Sequence, residues 1–144
     1  MVKFVPTLLV AATLAVASFT TAAPVKKGNA TAEPKVKAAS SEYTGKATWF
    51  TDSYGSCNYH WNGYEENIVA LNAHQMGSQS WGNSECNREV LIKNKANGKT
   101  VQARIVDKCP GDQCAYGSLD LSPKAFETIG DLDTGILNIE WYYV

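Results

Sequence analysis

The sequence has few of the residues that most often build metal sites or nucleophilic active sites. Its 144 residues include two histidines and four cysteines. Neither His60 nor His74 has an aspartate or cysteine at the spacing of a metal site or a catalytic triad, and no serine or cysteine nucleophile is flanked by suitable partners. We therefore expect no metal and no cofactor.

The sequence also lacks a basic stripe and an internal repeat. The formal net charge of the chain is −1, but from residue 42 onward eight Lys/Arg face thirteen Asp/Glu, a balance of −5. An acidic domain of this kind disfavours binding to nucleic acid or to anionic membrane surfaces. The expected partners are therefore neither nucleic acid nor membrane.

The one long apolar run lies at the N-terminus. Residues 4–19 are mostly apolar, follow a single lysine and precede the small residues 20–23. Pro6 and Thr13 interrupt the run and no stop-transfer charges follow, so residues 1–23 are predicted to be a cleaved secretory signal peptide rather than a membrane anchor. The mature protein is therefore expected to be extracellular or associated with a cell wall.

Residues 24–41 contain no aromatic side chain and are rich in alanine, lysine, serine, threonine and proline. Such a segment cannot bury enough apolar surface to offset its ordering entropy, which predicts a disordered linker or pro-segment. Asn29 begins an Asn-Ala-Thr glycosylation sequon. Residues 42–144 remain as one small domain, which we expect to be a monomer.

All four cysteines lie in this domain. An even number in a small secreted domain predicts two disulfides, with three possible pairings. Cys109 and Cys114 close most easily because they are near in sequence across a Pro-Gly turn, which leaves Cys57 with Cys86. A zinc site is the alternative, but the spacing is unusual for zinc and the compartment is oxidising.

The pattern of the domain is mainly β. Asn97-Gly98 is a strong turn signal between two alternating runs, and Ser122-Pro123 begins one convincing helix that Gly130 ends. Asn72 caps a shorter helical turn. Strands are predicted at residues 45–51, 68–71, 88–93, 100–106 and 135–143. Short strands with one or two small helices in about 100 residues predict a closed barrel.

Two aspartates flank the small cysteine loop. Asp107 ends an apolar run, and Asp120 lies between two leucines. The apolar neighbours of Asp120 are expected to raise its pKa by desolvation. Asp107 has an alternative role, because an aspartate beside a tight turn often caps backbone N–H groups.

Four blocks together resemble the RlpA-like double-psi β-barrel of expansin-related proteins, in particular the single-domain fungal type called loosenins. They are GKATWF at 45–50, NIVALN at 67–72, ARIVDKCPG at 103–111 and LDLSPKAF at 119–126. The resemblance implies a six-stranded double-psi barrel over residues 42–144, with two disulfides. It also implies that Asp120 is the aspartate that expansins require and that family 45 glycoside hydrolases use as general acid.

The resemblance places further residues in the same groove. It implies that Asp107 and Thr48 line the groove and that Tyr116 is an aromatic neighbour. Flat aromatic rings suit sugar faces, so the candidate substrate-binding residues are Thr48, Trp49, Trp61, Trp81 and Tyr116. We expect the chain to lack the second, carbohydrate-binding module of expansins. Their His-Phe-Asp motif does not occur in residues 42–144, and the cysteine loop is two residues longer.

Three functions follow as hypotheses. The first is a secreted protein that binds and loosens cell-wall polysaccharide, such as cellulose or chitin, without hydrolysis, with Asp120 and Asp107 in the site. The second is an inhibitor of a secreted papain-type cysteine protease, acting through the loops at 53–66 and 108–117. The third is a weak inverting glycoside hydrolase, for which Asp52 is the candidate base.

Overall fold

The computed structural model describes residues 42–144. The predicted signal peptide at 1–23, the predicted linker at 24–41 and the predicted glycosylation at Asn29 lie outside the described residues. Within 42–144, neither helix has the length and apolar character needed to cross a membrane.

Six strands form a closed barrel in the order β1-β5-β2-β4-β3-β6. The strands are β1 Tyr43–Trp49, β2 Ile68–Asn72, β3 Glu89–Asn94, β4 Thr100–Cys109, β5 Leu119–Leu121 and β6 Leu137–Tyr143. Two helices, α1 Ala73–Met76 and α2 Pro123–Ile129, and a 3₁₀ turn at Leu132–Thr134 complete the described chain. The prediction of a six-stranded, mainly β barrel with short helices is confirmed.

The pairing of the strands explains how a short strand can hold the barrel together. β5 has three residues and lies between β1, to which it is parallel, and β2, to which it is antiparallel. β2 and β4 form the second parallel pair. Because the ring is closed, each of the six strands has two neighbouring strands.

The interior of the barrel is filled by alternate residues of its strands. The largest fully buried side chain is Trp141 on β6, and Phe126 comes from α2. α2 begins as the sequence predicts: Ser122 Oγ accepts a hydrogen bond from the Ala125 N–H, Pro123 occupies the first turn, and the helix ends at Gly130. Its buried face, which includes Ile129, packs on the main core.

Both predicted disulfides are present. Cys57–Cys86 joins the loop after β1 to the loop before β3, over a separation of 29 residues. Cys109–Cys114 closes a short loop after β4 with a separation of 5. β4 extends to Cys109, three residues further than the alternation of its sequence indicates, because pairing with β2 continues to Asn72.

Candidate functional site

Four residues on neighbouring strands form a row on the outer face of the barrel. In the strand pairing, Thr48 lies opposite Asp120, and Asp120 lies opposite Ala70. Ala70 in turn lies opposite Asp107. Their chain neighbours Ala47, Leu119 and Leu71 belong to the core inside the barrel. Since successive side chains of a strand point to opposite faces, the four residues point outward. We call their surface, together with Phe50, the Asp120 groove.

An irregularity in β4 brings Asp107 into this row. The pairing of β2 with β4 shifts between Val69, which faces Ile105, and Ala70, which faces Asp107. Val106 is the extra residue, as in a β-bulge. The shift therefore places the carboxylate of Asp107, rather than an aliphatic side chain, beside Ala70.

Asp120 is the half-buried acid at the centre of the groove. Thr48 Oγ1 donates a hydrogen bond of 2.6 Å to Asp120 Oδ1. Burial raises the pKa of Asp120, the Thr48 hydrogen bond opposes this, and the negative charges of Asp107 and Asp52 raise the pKa further. The direction agrees with the expectation from its leucine neighbours. Such a carboxyl can donate a hydrogen bond when protonated and accept one when ionised.

Phe50 is a groove residue that the sequence reasoning missed. It packs against Ala70 and the Cys109–Cys114 disulfide on one side and against Trp61 on the other. The signal was available: Phe50 lies two residues after Thr48, and alternation carries both side chains to the same side of the chain. Its ring adds apolar surface to the surroundings of Asp120.

Asp107 anchors the loop that forms one wall of the groove. Its Oδ1 accepts hydrogen bonds from the backbone N–H of Ser56 at 2.6 Å and of Lys108 at 2.8 Å. The carboxyl group packs directly on Gly55, where a Cβ atom would overlap it. The capping role that the sequence left open is therefore present, in addition to a place in the groove.

Trp61 corrects a prediction. It was expected to present its ring to a ligand from a polar surface loop, but its side chain is 5% exposed. The ring packs against Ile68 and Val106, and its Nε1–H donates a 2.6 Å hydrogen bond to the Asp52 carbonyl. Trp61 is therefore the core of its loop and has no free face for a sugar.

Trp49 is 36% exposed, and its role in substrate binding stays a prediction. It follows Thr48 directly, so strand alternation sends its side chain to the opposite face. Its Nε1–H donates to the Leu132 carbonyl at 3.1 Å, beyond the end of α2. The indole is therefore placed away from the Asp120 groove.

Trp81 and Tyr116 are exposed, at 74% and 61% of their surface. The loop that carries Trp81 is tied to the β4 side of the groove by Lys108, whose Nζ donates to the carbonyls of Gly77 and Ser78. Tyr116 makes an edge contact with Tyr43, the first residue of β1. Both Trp81 and Tyr116 remain candidates for ligand contact.

The family model described as "Lytic transglycolase", a double-psi β-barrel, matches residues 42–141. The chain belongs to the RlpA-like double-psi β-barrel family. The matched span covers β1 to β5, most of β6 and both disulfides of the described domain. No cluster of three or more His, Cys, Asp or Glu suited to a metal ion occurs in that domain.

Two relatives of the chain are named in different ways, one for an inhibitory function and one for its domain. The papain inhibitor of Streptomyces mobaraensis is 34% identical over 103 residues, which are 70% of this chain and 71% of that protein. An EG45-like domain containing protein of Arabidopsis thaliana is 32% identical over 108 residues, 68% and 80% of the two chains. The family is therefore established, while the specific function has to be argued from the site.

Two solved structures that resemble the chain are those of a protease inhibitor and of an expansin. The Streptomyces papain inhibitor superposes with a TM-score of 0.64 at 30% identity, covering 72% of this chain and 94% of that one. An aspartate-to-asparagine variant of Clavibacter michiganensis expansin, in complex with cellohexaose, gives 0.59 at 25% identity over 72% of this chain. This chain spans half the length of the expansin.

Proposed function

We propose that the secreted domain binds cell-wall polysaccharide across the Asp120 groove and loosens the packing of the polymer without cleaving it. The observation that carries the proposal is the half-buried Asp120 carboxyl, hydrogen-bonded to Thr48 on the outer face of the barrel. Sugar hydroxyls both donate and accept hydrogen bonds, so one acid of this kind can compete for contacts between neighbouring chains. Trp81 and Tyr116 offer ring faces for stacking.

The arrangement of the other carboxylates favours binding over hydrolysis. An inverting glycosidase needs an acid and a base roughly 6.5–9.5 Å apart, with a water between them. Asp120 suits the acid, but Asp107 is occupied with two backbone N–H groups and packs on Gly55. Asp52 is exposed, and no hydrogen bond within residues 42–144 orients its carboxylate. We therefore propose that neither Asp107 nor Asp52 is positioned as a general base that could activate a water molecule.

The likeness to an expansin in complex with cellohexaose supports a polysaccharide ligand for this groove. The proposal concerns the barrel domain, since the expansin chain is twice the matched length. The experiment is a pull-down of the protein on cellulose, chitin and isolated plant and fungal walls. Asp120→Ala, which removes both the donor and the acceptor, should lose most of the binding, and Glu127→Gln, at an exposed carboxylate on α2, should bind as the parent does.

A second candidate is inhibition of a papain-type cysteine protease. It is favoured by the 34% identity to the Streptomyces papain inhibitor over 71% of that protein. The loop from 53 to 60 is braced by the Cys57–Cys86 disulfide and by the Ser56 hydrogen bond to Asp107, and it exposes Tyr54. A rigid loop loses little entropy when it enters a cleft. Titration of papain with the purified protein tests this candidate, with Tyr54→Ala as the loop variant.

A further inference from the structure

A depression lined by two lysines lies beside β1. It has a volume of about 540 Å³, and its lining includes Thr44, Lys46, Lys95 and Asn138 but no carboxylate. It is formed by the outer face of β1, the neighbouring part of β6 and the turn between β3 and β4. We call it the Lys46 depression.

The Lys46 depression and the Asp120 groove share the outer side of strand β1. Thr44, Lys46 and Thr48 alternate with less exposed residues on β1 and share its outer side. At about 3.3 Å per residue, the Cα atoms of Lys46 and Thr48 are about 7 Å apart. A polymer that contacts the Thr48–Asp120 pair therefore has the Lys46 depression as its next surface along β1.

The two lysines lack an acidic partner in the described domain. Lys46 Nζ donates to the neutral Asn138 Oδ1 at 3.3 Å, and Asn138 is its register partner on β6. The charge of Lys95 acts on Glu140, but Glu140 is already paired with Lys93 at 2.7 Å. No ion pair within residues 42–144 includes Lys46 or Lys95. In a domain with an excess of negative charge, this is a local positive site.

We propose that the polysaccharide bound in the Asp120 groove is anionic, with carboxylate groups of the uronate type held by Lys46 and Lys95. This inference rests on the proposed polysaccharide binding and adds the substrate class. A neutral glucan offers the two ammonium groups hydroxyl oxygens as acceptors but no opposite charge. A uronate chain supplies a carboxylate to the lysines, and it keeps hydroxyl groups for Thr44, Asn138 and Asp120.

The test compares two polymers that differ in charge alone. Polygalacturonate and its fully methyl-esterified form share a backbone, and binding of the full chain to each is measured at low and at high salt. We expect tighter binding to the charged polymer at low salt and a loss of the difference at high salt, because salt screens exposed ion pairs.

Matched variants assign the effect to residues. Lys46→Gln combined with Lys95→Gln should lower affinity for polygalacturonate about three- to tenfold, the range expected from two exposed ion pairs, and leave the esterified polymer unaffected. Lys124→Gln, a lysine on α2, should change neither. Equal binding of the two polymers, or equal losses with Lys124→Gln, would overturn the inference.

The inference and the proposed function fail in different ways. If the esterified polymer binds as well as the charged one and still depends on Asp120, the groove is a polysaccharide site and the substrate class is wrong. If Asp120→Ala leaves both polymers bound, the proposed function itself is wrong, whatever the lysine variants do.

Discussion

Thr48 donates a 2.6 Å hydrogen bond to Asp120 across the parallel pairing of β1 with β5, in which the two residues are register partners. The bond favours the charged carboxylate, whereas burial favours the neutral acid. Burial is the larger effect, so the pKa of Asp120 is raised. The pair therefore sets the charge at the centre of the groove.

Removing this hydrogen bond should raise the pKa of Asp120 further. Thr48→Val keeps the shape of the side chain but loses the donor, so the neutral form gains relative to the charged form. The loss should cost about 1 kcal/mol of stability when Asp120 is ionised. An NMR titration of the Asp120 carboxyl carbon measures the pKa, with Thr44→Val as the control on the same strand. An unchanged or lower pKa in Thr48→Val would contradict the account.

The raised pKa predicts a pH dependence of stability. Asp120 binds its proton more tightly in the folded state than in the unfolded chain, where its pKa is near 3.8. The stabilisation that Asp120 contributes is therefore fully present below about pH 4. It is lost as the pH rises through the pKa of Asp120 in the folded state. Asp120→Asn cannot ionise, so it should be more stable than the parent at neutral pH, with the difference vanishing in acid. Thermal unfolding in acidic and neutral buffers tests this, and a destabilised variant at neutral pH would contradict it.

Substitution of two tryptophans in polar loops should change the stability of the domain by very different amounts. Trp61→Ala should destabilise the domain by about 3 kcal/mol or more, because it removes a buried ring and leaves the Asp52 carbonyl without its donor. Trp81→Ala should change stability by less than about 0.5 kcal/mol, because the ring is exposed. Urea unfolding compares the two. If Trp81→Ala also leaves polymer binding intact, Trp81 is not a ligand contact.

The two disulfides should contribute unequally to stability. In the loop-entropy model a separation of 29 predicts a loss of about 3.5 kcal/mol for the Cys57→Ser/Cys86→Ser variant, and a separation of 5 predicts about 2 kcal/mol for Cys109→Ser/Cys114→Ser. Denaturant unfolding of the two double variants measures both losses. A larger loss from the short loop would show that Cys109–Cys114 acts mainly through its packing on Ala70 and Phe50.

The elements that sequence alone predicts are those with local causes. The start of α2 follows from the Ser122 cap and the proline after it, and the β3–β4 hairpin follows from Asn97-Gly98. The cysteine pairing follows from the ease of closing the short loop. Each of these depends on residues near one another in the chain.

The features that the residue pattern alone does not predict are those that depend on residues distant along the chain. Trp61 lies in a polar segment, and its burial comes from Ile68 on β2 and Val106 on β4. The bulge that sets Asp107 beside Ala70 arises from pairing between strands far apart in the sequence. Phe50 could have been found by alternation, but its contact with the Cys109–Cys114 loop requires the closed barrel.

The most direct test of the central claim measures wall loosening and sugar release in the same sample. Isolated wall material is treated with the parent protein, Asp120→Ala or Glu127→Gln, and its mechanical extension under constant load and the reducing ends in solution are recorded. The account predicts extension by the parent and by Glu127→Gln, none by Asp120→Ala, and no reducing ends above background in any sample. Extension that persists in Asp120→Ala, or reducing ends that appear with the parent and vanish with Asp120→Ala, would contradict it.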